Sequence, residues 1–267
     1  MSLTTLPAFL KAHPNAVLVE VTETKGSTPR DNGTIMLVAG TALWGTIGGG
    51  HLEFMAIGHA RRLLNGETLA ATLDVPLGPE IGQCCGGRTL LTFTSLDKDG
   101  SQNLLQRLDE ERAHFPEVMV FGAGHVGLAL AQALAPLPLN VTLIDSRPEI
   151  DGEPPEGITF RRVAMPEAEI AKLKPGSAAV ILTHDHALDF LIGKEALERT
   201  DLAYVGMIGS KTKRATFASF LEREGVGRSS MERLTLPIGG GSVKDKRPAV
   251  IAALVAAELL GVLLKAD

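Results

Sequence analysis

The 267-residue chain predicts an α/β protein in two parts, and three observations predict it. First, the apolar run Val118–Phe121 leads through Gly122-Ala-Gly-His-Val-Gly127 into the helical pattern Leu128, Leu130, Ala131, Leu134. This is the strand, turn and helix order that a G-x-G-x-x-G sequence needs before it carries meaning. Second, the strand Val141–Ile144 ends in Asp145, 21 residues past Gly124, near the spacing at which an acidic side chain takes ribose hydroxyls. Third, short strands then alternate with helical stretches, whereas the first hundred residues join their strands mainly by hairpins and loops. Strict alternation yields a parallel sheet with helices on both faces. The expected architecture is therefore an N-terminal mixed α+β domain over 1–100, a linker helix over 101–115, and a C-terminal Rossmann-like doubly wound parallel sheet over 116–267.

Composition narrows the function classes. A mass of 28.2 kDa favours two domains over one core. A net charge of −5, with no basic run, argues against nucleic acid as a partner. The N-terminus has neither a basic region nor a long apolar segment, so a cytoplasmic protein is expected. The most apolar stretch, Ala249–Leu264, is interrupted by Glu258 and falls short of the roughly 18 to 20 residues of a spanning helix, so no membrane is expected. The only two cysteines, Cys84 and Cys85, are adjacent and give no disulfide framework. They are expected to be free thiols in a reducing compartment.

In chain order, Leu3–Ala12 patterns as a short helix and Ala16–Thr22 as a strand with one mostly buried face. Lys25-Gly-Ser-Thr-Pro-Arg30 follows. Its hydroxyls, cations and glycine suit an oxyanion, and they also suit a solvated turn. Thr34–Val38 and Thr41–Gly45 form a hairpin through Ala39-Gly40 and run into Thr46-Ile-Gly-Gly-Gly-His-Leu-Glu53. Leu52, Met55, Ala56, His59 and Leu63 share one helical face, which puts Gly48, Gly49 and Gly50 at a helix start. Three successive glycines cost entropy. Either bare N–H groups meet an anion there, or the glycines permit close packing of helix on sheet. His51 and Glu53 are candidate ligands or supports, and an acid in the first turn is also what the helix dipole favours.

Leu69–Val75 and Arg88–Phe93 are strands flanking Gly78-Pro-Glu-Ile-Gly-Gln-Cys-Cys-Gly-Gly87. A free cysteine is usually a small buried apolar residue. A thiol beside two glycines is sterically open, however, and neighbouring N–H groups would favour the thiolate that binds metals or accepts sulfur. Asp97–Ala113 reads as polar linker and helix.

In the second half, Arg147, just past Asp145, either favours a second phosphate or sits in solvent. Residues 151–157 form a loop, and Phe160–Val163, Ala178–Thr183 and Ala203–Ile208 are strands. Placed beside the glycine-rich strand, the strand from Ala178 would deliver His184 of Thr183-His-Asp-His186 into the crevice where such sheets bind ligands. The His-x-His pair lacks an evident third metal ligand. Gly206–Arg214 offers glycines and cations as a second anion contact. Pro248 is placed for the first turn of the final helix. That helix, from Val250 to Leu264, has little polar face and must be buried. One side is expected on the sheet and the other against a second copy, giving a homodimer.

Lys25–Arg30, Gly45–Glu53, Gln83–Gly87 and Gly122–Gly127 occur in this order in the XdhC family, the accessory proteins of xanthine dehydrogenase, which the chain resembles over nearly its whole length. The resemblance implies a maturation factor with no turnover of its own. It would bind the molybdenum cofactor (Mo-molybdopterin), protect it while a cysteine desulfurase supplies its terminal sulfido ligand, and hand it to the molybdenum subunit of xanthine dehydrogenase. The family's cysteine before Gly-Gly falls on Cys85, the implied metal contact, with Cys84 beside it. The implied cofactor-binding set is Cys85, Cys84, Arg30, Gly48, Gly49, Gly50, Glu53, Gly122, Gly124, Gly127, Asp145 and His184. Thiolate is a soft ligand suited to such a metal, and Arg30 with the glycine loops suits the phosphate end of a pterin. Many family members open the last helix with acidic residues after Thr-Pro, where this chain has Lys246 and Arg247. The rival reading is an NAD(P)-dependent oxidoreductase using the Gly122-x-Gly124-x-x-Gly127 turn, with the N-terminal domain as substrate cover. A third reading is a docking module.

Overall fold

A computed structural model of the chain describes residues 6–79, 86–150, 152–240 and 243–265. It divides into two compact units, Met1–Asp109 and Glu110–Asp267.

The first unit contains α1 (Leu6–Ala12), β1 (Ala16–Lys25), β2 (Ile35–Val38), β3 (Leu43–Gly45), α2 (Gly50–Leu64), β4 (Thr72–Pro76), β5 (Arg88–Leu96) and most of α3 (Lys98–Ala113). The strands form one sheet in the order β3-β2-β1-β5-β4, and every neighbouring pair is antiparallel. The expected hairpin is present, with Val38 opposite Leu43. Side chains of a strand alternate between faces, and in β1 both faces are covered. Val17, Val19 and Val21 pack with Leu52, Ala56 and Ala60 of α2, while Leu18 packs with Leu6, Leu10, Trp44 and Leu104. The single buried face expected for this strand is thus corrected to two. The second is closed by α1 and by α3, whose Leu104, Leu105 and Leu108 join that cluster. Full burial of a leucine such as Leu104 contributes roughly 1.5–3 kcal/mol, and the partly buried Leu105 and Leu108 contribute less. Arg107 of α3 adds an ion pair to Glu20 of β1 at 3.1 Å.

The second unit contains β6 (Glu117–Phe121), α4 (His125–Leu134), β7 (Asn140–Asp145), β8 (Thr159–Arg162), β9 (Ala178–Ile181), α5 (His186–Glu198), β10 (Tyr204–Met207), α6 (Lys211–Arg223), β11 (Leu234–Thr235) and α7 (Pro248–Leu263). Its sheet runs β11-β10-β9-β6-β7-β8, parallel throughout. This is the doubly wound order expected from the sequence, and the strand order reverses between β6 and β9. Both faces are buried, so β9 and β10 read as unbroken apolar runs. α4 and α7 share one core. α5 and α6 lie in the core of the opposite face. α7 buries Ala252, Val255, Ala256 and Leu259. Among the described residues no helix is long and apolar enough to cross a membrane.

Candidate functional site

In the first unit the structure brings together three of the loops singled out in the sequence. A Cβ on Gly48 would stand 2.8 Å from Pro29 Cγ and 3.6 Å from Arg30 Cγ, so the glycine triplet packs directly on the Lys25–Arg30 loop. A Cβ on Gly87 would stand 2.1 Å from Ser27 O and 2.7 Å from Lys25 O, so the end of the cysteine loop packs on the same segment. The base of the cysteine loop is pinched by two backbone hydrogen bonds. Leu77 N donates to Gly87 O at 2.8 Å, and Gly86 N donates to Leu77 O at 2.9 Å. Cys84 and Cys85 themselves lie outside the described residues.

The glycine triplet has a backbone reason. Gly48, Gly49 and Gly50 have φ of 123°, 79° and 64°, a region L side chains rarely adopt. The expectation of bare amides at this helix start is corrected for Gly48, whose N donates to Thr46 Oγ1 at 3.2 Å, and for Gly49. Glu53 Oε2 accepts from Gly49 N at 3.0 Å, from Ile47 N at 3.3 Å and from Thr46 Oγ1 at 2.5 Å. A carboxylate at the positive end of the helix dipole closes the turn from within. His51 is exposed, its ring tilted against Phe54 with centroids 6.1 Å apart.

Cations border this cluster. Arg30 is exposed and has no hydrogen bond or ion pair among the described residues. Arg88, the residue after Gly87, grips Asp74 through Nε at 2.6 Å and Nη2 at 2.8 Å. The Arg88 hydrogen bonds hold the Asp74 carboxyl below its ordinary pKa, and the charge of Lys25 adds to the effect. Next to Arg88, Thr89 is 2% exposed and its Oγ1 has no partner among the described residues. A glycine-walled loop cluster edged with cations fits the anionic end of a phosphorylated cofactor.

In the second unit the fingerprint residues come together at the β6 turn. A Cβ on Gly122 would meet Leu182 O at 2.4 Å, and one on Gly127 would meet Gly122 O at 1.8 Å. Close approach of backbone to backbone therefore requires both glycines. Gly124 precedes α4 as its N-cap. Asp145 is 4% exposed. Its Oδ2 accepts from Ala123 N at 2.7 Å and Arg147 Nη2 at 2.9 Å. Its Oδ1 accepts from Arg147 N at 2.8 Å and Nε at 3.1 Å. Burial acts to raise the Asp145 pKa, but the Arg147 side chain and the two backbone N–H groups outweigh it and hold the carboxyl below its usual value. β9 pairs with β6, and His184, just beyond its end, is exposed, as is His186.

Two residues beside this crevice were missed in their roles. Asp189 is fully buried and accepts from Thr183 N at 2.9 Å and Thr183 Oγ1 at 2.8 Å. Its other oxygen is paired with Lys213 Nζ. Lys213, expected as part of a cationic anion-binding loop, is instead 8% exposed and turned inward. A lone acid inside the apolar run after His186 was the available signal.

Fold and site define a protein with an antiparallel unit bearing a glycine-rich loop cluster, followed by a doubly wound parallel unit. The family model of the XdhC Rossmann domain matches residues 118–259, and that of the XdhC and CoxI family matches residues 9–75. The chain belongs to the XdhC family. It is 27% identical over 260 residues to the uncharacterized protein YqeB of Escherichia coli (strain K12), which covers 92% of this chain and 43% of YqeB. The chain thus spans less than half of that relative. A crystal structure described as a xanthine dehydrogenase from Bacillus halodurans shares the fold, with a TM-score of 0.78 and 18% identity over 100% of this chain and 97% of the other.

Proposed function

We propose that the protein is a cytoplasmic accessory factor of xanthine dehydrogenase that binds the molybdenum cofactor at the loop cluster of the first unit. It holds the cofactor while a cysteine desulfurase supplies the sulfido ligand, then delivers it to the molybdenum subunit, with no turnover of its own. The observation that carries the reading is the packing of the Lys25–Arg30 loop on both Gly48 and Gly87. Residues far apart in sequence thereby form one cradle at the base of the cysteine loop. Membership of the XdhC family supports the same reading.

In this reading Cys85 is the soft metal contact, Arg30 and Lys25 meet the phosphate, and Glu53 keeps the glycine turn in shape. The cofactor supplies the metal centre; the chain supplies position and shelter. The oxidoreductase alternative draws no support from Asp145, whose two oxygens already accept from Ala123 and Arg147. The functional unit is proposed to be a homodimer, and a monomer mass by light scattering would remove that part.

The test is to purify the chain from a host that makes the cofactor and measure molybdenum and pterin per chain. Cys85→Ala should lose molybdenum, Cys84→Ala should keep most of it, and the double variant should match Cys85→Ala. The loop is rich in glycine, so the melting midpoint should fall by no more than the equivalent of about 1 kcal/mol. Unchanged molybdenum in Cys85→Ala refutes the metal contact. Tight, saturable NADH or NADPH binding coupled to substrate oxidation would replace the reading with the oxidoreductase one.

A further inference from the structure

We propose that the far edge of the parallel sheet holds a separate binding site for a small phosphorylated molecule with an apolar body, of mononucleotide size. A pocket of about 480 Å³ opens where β10 and β11 end and α7 begins, within the roughly 300–1,000 Å³ of small-molecule sites. Doubly wound sheets bind ligands at the C-terminal ends of their strands. This pocket also lies at strand C-terminal ends, but β10 and β11 are the second and third strands from the glycine-rich strand β6, away from the switch point between β6 and β9. It is therefore distinct from the β6 turn.

Its walls and its charge define the ligand. Ile208, Ile238, Ile251 and Leu254 supply apolar surface, while Gly239 and Gly240 bring the main chain to the pocket. Lys244 and Lys246 line it as well, and neither has a hydrogen bond or ion pair among the described residues. Asp245 lies between them, but its carboxylate accepts from Arg247 N at 2.9 Å, Nε at 2.9 Å and Nη2 at 2.5 Å. That acid and that arginine neutralise each other, and the two lysines set the sign of the pocket. Glu258 is the other acid nearby. Its Oε1 is 3.9 Å from where a Cβ on Gly240 would stand, its Oε2 accepts from Tyr204 OH at 2.7 Å, and it is not among the lining residues.

A pocket lined by aliphatic side chains and by two exposed lysines matches a phosphate ester with an apolar body. Inorganic phosphate would engage only the lysines, and an uncharged nucleoside only the walls. The site lies wholly in the second unit and does not rest on the molybdenum reading.

The test is isothermal titration of the full chain with adenosine 5′-monophosphate, adenosine and inorganic phosphate. The monophosphate should bind saturably and more tightly than either of the others. Lys244→Gln with Lys246→Gln should weaken it about tenfold or more at an unchanged melting midpoint. Leu254→Trp, which fills the slot, should abolish it, and Arg147→Ala at the β6 turn should leave it intact. The proposal is overturned by the absence of saturable binding at millimolar monophosphate, or by inorganic phosphate binding as tightly. It is also overturned if the lysine double variant keeps wild-type affinity, or if Arg147→Ala, titrated well below its own melting midpoint, loses the binding, which would place the nucleotide on the glycine-rich turn.

Discussion

Replacing Lys213 by methionine should destabilise the second unit by about 3–5 kcal/mol, the usual cost of leaving a buried charge without its partner. The structure gives the reason. Asp189 is 0% exposed and Lys213 8% exposed, so water cannot substitute for the missing ammonium. Methionine keeps most of the aliphatic stem that packs at Gly209, where a glycine Cβ would stand 2.6 Å from Lys213 Cδ. The loss is therefore electrostatic rather than a cavity. After substitution Asp189 retains only its two bonds from Thr183. A unit of this size loses about 2–4 °C per kcal/mol, so its melting transition should fall by roughly 6–20 °C. Scanning calorimetry is the assay, because it can resolve the transitions of two units. Asp189→Asn combined with Lys213→Met removes the buried charge and should recover much of the loss, giving a large coupling in the double-mutant cycle. A fall of less than about 2 °C in the single variant, or a double variant as unstable as the single, would refute the argument.

Two further outcomes follow from the site geometry. Gly87→Ala would place a Cβ 2.1 Å from Ser27 O, forcing two backbones apart. It should lower both cofactor retention and the melting point of the first unit, whereas Gly40→Ala, with nothing within 4 Å, should change neither; equal behaviour of the two variants counts against the cradle. The second concerns pH. Asp145 has a depressed pKa in the folded chain, so its stabilising contribution is present above the unfolded value of about 3.9 and is lost as pH falls through the folded value. Arg147→Ala should then be less stable than wild type near neutral pH, and the gap in melting midpoint should close below about pH 4. A gap that stays constant across that range would mean that Arg147 acts by packing alone.

What was legible in the sequence follows the range of the interactions involved. The order of the parallel sheet could be read because alternation and chain handedness leave few arrangements, and Ala178–Ile181 does lie beside β6. The second buried face of β1 could not. It depends on α3, whose Leu104, Leu105 and Leu108 are spaced among charged and polar residues that read as a linker. The helix start at Gly48–Gly50 was visible, but the fate of its amides turned on the rotamer of Glu53. Lys213 resembled a surface cation because its partner Asp189 is 24 residues away on another helix.

Gly122, Gly127 and Asp145 of the fingerprint are accounted for by contacts within the chain. Gly122 N donates to Ile144 O at 2.7 Å, and the Gly122 position has no room for a Cβ beside Leu182. Asp145 clasps Ala123 N, so the turn is tied to β7 and to the segment after β9. These residues act as a joint before any ligand is considered, and a G-x-G-x-x-G sequence alone does not establish a dinucleotide site. The two sites proposed above draw instead on groups that the fold leaves uncommitted. In the first unit Arg30 is such a group, and in the second Lys244 and Lys246 are. All three are cations in a chain whose net charge is −5. Charges in solution are screened beyond about 8–10 Å, so for an anion at either proposed site the groups within that distance outweigh the net charge of the chain.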